Sequence, residues 1–283
     1  MYKIVKREVL IEGDTELMEV YAPRIAKRIN AGNFIMLRIS EKGEKIPMSI
    51  FDYDRKKGTV TIIFKIIGKT TKELSCLKEG DSLLNFLGPL GKSTDIEKFG
   101  TVVCIGGGIG TVPFNPICRD LKKAGNKVIS ILGARNKDLL ILEKEIGNHS
   151  NELYIATDDG TKGQKGFVTD VLKKLIDDGV KIDRVIAIGP IIMMKFVSQM
   201  TKPYGIKTIV SLNPIMVDGT GMCGCCRLTI GNETKFGCVD GPDFDGHLVD
   251  FDNLMLRNNR FLAEEKEASE HGGGECACKK GKA

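Results

Sequence analysis

The chain reads as an antiparallel β-barrel followed by a parallel, doubly wound α/β domain and a C-terminal segment that carries cysteines. Three observations predict this fold class of β plus α/β. The first hundred residues are short β-branched and aromatic runs separated by turn residues, with no long helical period. From Thr101 onward, apolar strand-like runs alternate with amphipathic helical stretches. After Asn213-Pro214, cysteines enter at close intervals among glycines.

In the first part, FIMLRI (34–39) and TVTIIFKII (59–67) are rich in strand-forming residues. Gly43, residues 54–58, Gly68 and Gly80-Asp81 punctuate the runs. Closely spaced strands without helices suggest a small closed sheet. In the second part TVVCI is a continuous apolar strand, GGGIG a turn and residues 111–124 a helix. KVISILG is the next strand, followed by a helical stretch at 137–145. ELYIAT, a helix at 167–177, RVIAIGP, a helix at 191–201 and KTIVSL complete the alternation. An Asp/Gly-rich loop, a short helix around 251–261 and a polar tail, expected to be disordered, close the chain. The expected boundaries are 1–97 for the barrel, 98–214 for the α/β domain, 215–262 for the cysteine segment and 263–283 for a flexible tail.

Composition narrows the function classes. At 283 residues, 42% hydrophobic and 28% charged, the chain suits a globular protein of about two domains. A net charge of +5 without any dense Lys/Arg block argues against nucleic-acid binding. No apolar run approaches the ~20 residues of a membrane span, and the charged start MYKIVKREVLIEGDTEL does not read as a signal peptide. Nine cysteines in such a chain imply reduced thiols and a cytoplasmic location. Cys76, Cys104 and Cys118 are expected to be buried small hydrophobes. Cys276 and Cys278 sit in the tail as a flexible metal binder.

The first motif with chemistry is Gly106-Gly107-Gly108-Ile109-Gly110, between a strand and a helix. That placement aims backbone N–H groups and a helix start at a pyrophosphate; its bland reading is a tight strand–helix turn. A dinucleotide fold usually adds an acid about 20 residues later for a ribose hydroxyl. Here no Asp or Glu lies between Asp120 and Asp138, and the second strand ends at Gly133-Ala134-Arg135. Arg135 suits either a ribose phosphate or packing along an adenine, which leaves both NAD and NADP open.

The second motif is Asp218-x4-Cys223-x2-Cys226-x11-Cys238. It matches the plant-type two-iron spacing with the first thiolate replaced by a carboxylate. The intervening glycines let the backbone wrap around inorganic sulfide. Cys225, between two proposed ligands, is a competing thiol. A mononuclear zinc site normally pairs two C-x2–4-C units, and here a second pair is missing unless the tail supplies it. His149, His247 and His271 form no constellation; His149 and His271 are expected to be exposed, and His247 to make a structural hydrogen bond.

The ordered set GGGIGT-x-P, GAR-x-KDLL, TDDG, KGFVTDVL, IGP-x-x-MMK and MVDGTGMCGCCRLTIGNETKFGCVDGPDFDGHLVDFDNLM resembles one family over nearly the whole chain. It is similar to the branch of the ferredoxin–NADP reductase superfamily that holds the electron-transfer subunit of dihydroorotate dehydrogenase. Within it, the resemblance is strongest to the small subunits of NADH-dependent reduced-ferredoxin:NADP oxidoreductases. There an aspartate stands where the dihydroorotate branch has a cysteine, and Asp218 follows the aspartate pattern. The resemblance implies FAD on the barrel, NAD(H) on the α/β domain and a [2Fe–2S] cluster at the C-terminus. Pro47, Met48 and Ser49 match the segment along the flavin ring, and Gly68, Thr70 and Thr71 the FAD pyrophosphate loop. Gly106, Gly107, Gly108, Ile109, Gly110 and Thr111 match the NAD pyrophosphate loop. Asp158, Asp159, Gly189 and Pro190 lie where ribose or nicotinamide is held. Lys45-Ile46 departs from relatives that carry an arginine, so the bidentate fork is lost while the charge stays. The implied partner is a larger flavin- and [4Fe–4S]-containing subunit, NADP- and ferredoxin-linked, and the implied activity is electron bifurcation with no catalytic side-chain acid or base. The alternatives are the electron-transfer subunit of a dihydroorotate or sulfide dehydrogenase and, from another class, a zinc-stabilised nucleotide sensor.

Overall fold

The structure, a computed structural model, describes residues 1–271; Cys276 and Cys278 lie outside the described residues. Seven antiparallel strands form a nearly closed sheet. They are β1 (Tyr2–Ile11), β2 (Thr15–Tyr21), β3 (Phe34–Arg38), β4 (Ile46–Asp54), β5 (Thr59–Lys65), β6 (Ser82–Leu83) and β7 (Asn85–Leu90), ordered β6-β1-β2-β5-β4-β3-β7. Two short helices, α1 (Pro23–Ala26) and α2 (Lys69–Ser75), join its core through Ile25, Ala26 and Leu74. Alternation decides which face is inside. On β4, Met48 and Ile50 are buried in the barrel core with Ile35, Leu37, Ile62 and Phe64, while Pro47 and Ser49 face out. Each such side chain contributes about 1.5–3 kcal/mol when removed from water.

The second sheet is ordered β11-β10-β9-β8-β12-β13-β16. Its strands are β8 (Thr101–Gly107), β9 (Lys127–Ala134), β10 (Glu152–Thr157), β11 (Gln164–Lys165), β12 (Arg184–Ile188) and β13 (Lys207–Ser211), all parallel. The edge is completed by β16 (Asp243–Asp245), antiparallel to β13. The strands read as unbroken apolar runs because both faces are covered. Val103 and Ile105 pack under α5 (Val168–Asp177) and α6 (Ile191–Thr201). Val102 and Cys104 pack under α3 (Phe114–Lys123) and α4 (Glu143–His149).

Two expected helices have other bounds. The helix expected at 111–124 begins at Phe114, behind the N-cap Pro113 and a 3-10 turn at Gly108–Thr111. The stretch 137–145 is a 3-10 turn closed by the Asn136 side chain, which accepts from the N–H groups of Asp138 and Leu139; α4 starts only after Leu142, at φ 62°. His149 ends α4 half-buried instead of lying exposed in a loop, and burial pulls its pKa down. Cys104 and Cys118 are buried as expected, whereas Cys76 is only half-buried where α2 ends.

The C-terminal segment packs on the barrel strand β3 and joins the α/β sheet. A hairpin of β14 (Arg227–Ile230) and β15 (Glu233–Phe236) turns through Gly231-Asn232, then β16 joins the α/β sheet and α7 (Phe251–Asn258) covers β14. Residues 263–271, expected to belong to a flexible tail, lie in helix α8 (Leu262–His271). Its run of Leu, Ala, Glu and Lys favours helix, with Glu264 and Glu265 in the first turn, and Lys72 Nζ of α2 donates to Ser269 Oγ at 2.7 Å. No helix among the described residues is long and apolar enough to cross a membrane.

The two sheets meet through specific contacts. Asn115 Nδ2 donates to the Phe51 carbonyl at 3.1 Å, and Arg119 pairs with Asp52 at 2.6 Å while lying over the Tyr53 ring. Leu17 and Ile63 of the barrel pack on Val112, just after the glycine loop. At the other side, Thr94 Oγ1 donates to Asp243 Oδ2 at 2.6 Å and Lys92 N to the Gly241 carbonyl at 2.6 Å.

Candidate functional site

Asp218, Cys223, Cys226 and Cys238 all lie in the segment that folds against β3. Gly219, Gly221 and Gly224 have φ of 86°, 85° and 66°, a hand that other residues adopt at a cost, and they curl the loop around the first two thiol positions. A Cβ on Gly219 would come within 2.7 Å of Met36 Cγ, so the loop sits directly on the barrel strand. Cys226 and Cys238 are buried with Phe34, Met36 and Met216, and their sulfurs are 3.2 Å apart. Cys238 N donates to Cys226 Sγ at 3.4 Å.

The electrostatics of these groups suit a cationic centre. Burial, with the adjacent Cys226 thiol, pushes the Cys238 thiol up to about 12. Two neighbouring thiols in an apolar pocket ionise only when a metal compensates them. Cys223, by contrast, is exposed, and the Cys225 N–H, with that of Asp218, holds its thiol below the usual value. The Thr220 hydroxyl and N–H both donate to Asp218 Oδ2 and hold that carboxyl down, helped by the charge of Lys45. Three thiols and one carboxylate are the donor types an iron–sulfur cluster takes, but among the described residues no three of them are gathered into one metal-binding group, and only Cys226 and Cys238 stand together. Cys225 turns its N–H to Cys223, and its carbonyl accepts from Arg257 at 3.1 Å.

On the barrel, Pro47 pairs with Met36 and Ser49 with Phe34 across the β3–β4 ladder. Directly opposed residues share a face at about 5 Å between Cβ atoms. The open surface of Pro47 and Ser49 therefore adjoins the pair of side chains on which the cysteines rest. Met48 points into the core, so only its main chain is available to a ligand on that surface. Gly68 begins α2, and a Cβ there would meet nothing within 4 Å. The Thr71 hydroxyl accepts from the N–H groups of Ile67 and Gly68 and is used locally. Thr70 is buried, with its hydroxyl 3.3 Å from Glu44 Oε2.

In the α/β sheet, the glycine loop and Gly189-Pro190 meet where the strand order reverses, between β8 and β12. Ligands bind open α/β sheets at such a switch point. A Cβ on Gly107 would fall 2.7 Å from Met193 Sδ and 2.9 Å from Pro190 Cδ. One on Gly110 would fall 2.4 Å from the Ile188 carbonyl, and one on Gly189 3.1 Å from Gly107 Cα. Those glycines let two loops touch. Gly108 alone combines φ 54° with open space, and Ile109 beside it is partly exposed. Thr111 is buried and its hydroxyl donates to the Gly108 carbonyl. Arg135 and Asp158 are exposed at the neighbouring strand ends, joined through main chain as Asp158 N donates to the Ala134 carbonyl at 3.1 Å. Asp159 accepts from the N–H and hydroxyl of Thr161, a turn role that holds its carboxyl down.

Several contributors had not been singled out from sequence. Phe34 and Met36 carry no chemical signal of their own, since their role comes from tertiary packing. The β14–β15 hairpin, which delivers Cys226 and Cys238 to one place, was signalled by Gly231-Asn232 between alternating residues. His247 Nε2 lies 3.0 Å from Thr201 Oγ1, the structural contact expected of it.

A nearly closed antiparallel barrel joined to a parallel nucleotide-type sheet, with thiols packed on the barrel, defines a ferredoxin–NADP-reductase-like oxidoreductase carrying an iron–sulfur segment. Residues 213–250 match the iron-sulfur cluster binding domain of dihydroorotate dehydrogenase B. The chain is 45% identical to a dihydroorotate dehydrogenase B (NAD(+)) electron transfer subunit homolog of Thermotoga maritima, covering 93% of each. It is 34% identical to the electron transfer subunit of that enzyme from Fusobacterium nucleatum, over 84% of this chain and 93% of the other. Among solved structures, it matches a chain of the NADH-dependent reduced ferredoxin-NADP oxidoreductase, studied for flavin-based electron bifurcation. That match has 43% identity and a TM-score of 0.90 over 96% of this chain and 97% of that one. The chain belongs to the family of dihydroorotate dehydrogenase B electron-transfer subunits and their homologues, flavoprotein oxidoreductases that act in electron transfer. Such subunits work within a heteromeric complex with a larger partner.

Proposed function

We propose that this chain is the small, electron-transfer subunit of a cytoplasmic NADH-dependent reduced-ferredoxin:NADP oxidoreductase. Residues 1–97 hold FAD, 98–214 hold NAD(H) and 215–262 hold a [2Fe–2S] cluster through Asp218, Cys223, Cys226 and Cys238. Its partner is a larger flavin- and [4Fe–4S]-containing subunit, linked to NADP and ferredoxin. The observation that carries this reading is the β3–β4 ladder: the flavin-facing residues Pro47 and Ser49 pair with Met36 and Phe34, on which the cluster thiols pack. When bound, the flavin supplies hydride exchange with NADH and the cluster one-electron transfer, so the protein's part is orientation and tuning.

The chain's own residues divide that part. Gly68 and the first turn of α2 offer open backbone for a pyrophosphate, with Thr70 beside it, while Thr71 fixes the turn. Gly106 to Thr111 and Gly189-Pro190 form the floor of the dinucleotide crevice, with Arg135, Asp158 and Asp159 along its rim. Met36 and Phe34 exclude water between flavin and cluster. Asp218 separates this reading from a dihydroorotate dehydrogenase subunit, whose branch has cysteine there. The iron–sulfur domain match over 213–250 disfavours a zinc sensor.

Anaerobic visible and EPR spectra of the purified protein, before and after NADH and then dithionite, test the assignment. Flavin bleaching by NADH and a rhombic S = 1/2 signal after reduction are expected. A colourless protein holding zinc would overturn it.

A further inference from the structure

Cys76 stands apart from the other thiols. Cys104, Cys118, Cys223, Cys225, Cys226 and Cys238 are free, whereas Cys76, at the C-cap of α2, is disulfide-bonded. The sequence holds nine cysteines, so with those six free a partner within the chain can only be Cys276 or Cys278. Placement agrees with that elimination. α8 lies against α2, where Lys72 Nζ donates to Ser269 Oγ at 2.7 Å. Cys76 follows Lys72 by four residues, so both stand on one face of α2, a turn of about 5.4 Å apart. Cys276 is seven residues beyond Ser269, and seven residues span at most about 25 Å. The tail pair therefore reaches Cys76 with slack. α8 also needs a further hold. Over residues 262–270 every side chain is exposed except Ser269, which is half-buried. A ten-residue helix with no packed apolar face is marginal in water.

We propose that Cys76 and the tail pair Cys276-Ala277-Cys278 form a thiol–disulfide latch that ties the end of the chain, and α8 with it, to α2. This goes beyond the electron-transfer reading and stands without it. The oxidant is a small disulfide of the glutathione class. A tail thiolate attacks it, forms a mixed disulfide and releases one glutathione thiol. The Cys76 thiolate then attacks the tail sulfur and releases the second. Two protein thiols are oxidised, one S–S bond forms in the chain and one breaks in the oxidant, and the two protons end on the two glutathione thiols. Lys279 and Lys280, next to Cys278 in sequence, favour the attacking thiolate. Cys76 is only half-buried, and a disulfide that solvent reaches belongs to the labile, regulatory kind.

The test uses the full-length chain, incubated with oxidised or with reduced glutathione, alkylated, and digested with trypsin without reduction. After oxidised glutathione, mass spectrometry is expected to find the peptide 73–78 linked to the peptide 267–279. After reduced glutathione, both peptides should appear separate and alkylated. Cys76→Ser and the double variant Cys276→Ser/Cys278→Ser should each abolish the linked peptide. Hydrogen exchange at the amides of 262–271 is expected to be about tenfold or more faster in the reduced chain and in both variants than in the oxidised wild type. Full alkylation of Cys76 after oxidised glutathione overturns the proposal. So does a Cys76 bond between two chains, seen as a doubled mass on a non-reducing gel. Equal exchange in the oxidised and reduced chains, with the linked peptide present, overturns the latch on α8. These readouts are independent of flavin and iron. A chain that bleaches with NADH yet shows no linked peptide loses the latch alone, and a linked chain without cofactors loses the electron-transfer reading alone.

Discussion

The two glycine-rich loops of this molecule need glycine for different reasons. In the crevice between β8 and β12, Gly107, Gly110 and Gly189 are required by what lies in front of them, because a Cβ would strike the opposing loop. In the segment carrying the cysteines, Gly219, Gly221 and Gly224 are required by backbone hand, each with φ above 60°. The first loop is a contact surface between two strands' ends, and the second is a curl around a centre. The same residue type therefore marks a packed floor in one place and a wrapped cage in the other.

The sharpest separation comes from removing thiols. Cys226→Ser or Cys238→Ser is expected to abolish the cluster's EPR signal and iron content while the flavin absorbance stays, because the buried pair belongs only to the cage. Next in size is a pair of alanines in the crevice. Gly110→Ala, 2.4 Å from the Ile188 carbonyl, is expected to cost about 3 kcal/mol of stability. Gly108→Ala, with open space but φ 54°, is expected to cost only about 1 kcal/mol. Urea unfolding of both variants measures the difference, and equal losses would break the distinction between floor and turn. Asp218→Cys should keep a cluster but move its potential, since a hard carboxylate favours ferric iron differently from thiolate; a redox titration followed by EPR reads the shift.

The smallest effect concerns pH. Asp243 Oδ1 is buried without a hydrogen-bond partner among the described residues, and burial pushes its carboxyl above the ordinary value of 3.8. An acid whose pKa is raised by folding binds more protons in the native state, so its contribution is complete below the unfolded pKa and is lost as pH rises through the folded one. Wild-type stability should therefore decline with rising pH above about the ordinary carboxylate range. Asp243→Asn should flatten that part of the curve, as followed by thermal melting across pH.

Much of this organisation was legible in the chain. Period-2 and period-3.6 patterns separated the barrel from the α/β part because burial on one face or two writes directly into residue order. The spacing of Cys223, Cys226 and Cys238 was legible because ligands on one loop stay close in sequence. What could not be read joined distant segments. Met36 and Phe34 look like any core strand residues until the register with Pro47 and Ser49 is known. Short β16 carries too few residues to announce a strand and is held by pairing with β13. The start of α3 at Phe114, behind Pro113, and the break before α4 set by the Asn136 side chain are local capping effects that a helical period smooths over.

The contact between Thr94 and Asp243 spans 149 residues and ties the connection after the barrel to the last strand of the sheet. During synthesis the barrel and all six parallel strands emerge before any proposed iron ligand does, and N-terminal units fold first. The thiols thus arrive at a surface already built, and α7, which packs over β14, follows them. Metal loading is accordingly a late event in the life of the chain, and a nascent protein arrested before residue 251 would display Cys223, Cys226 and Cys238 without the helix that packs over β14.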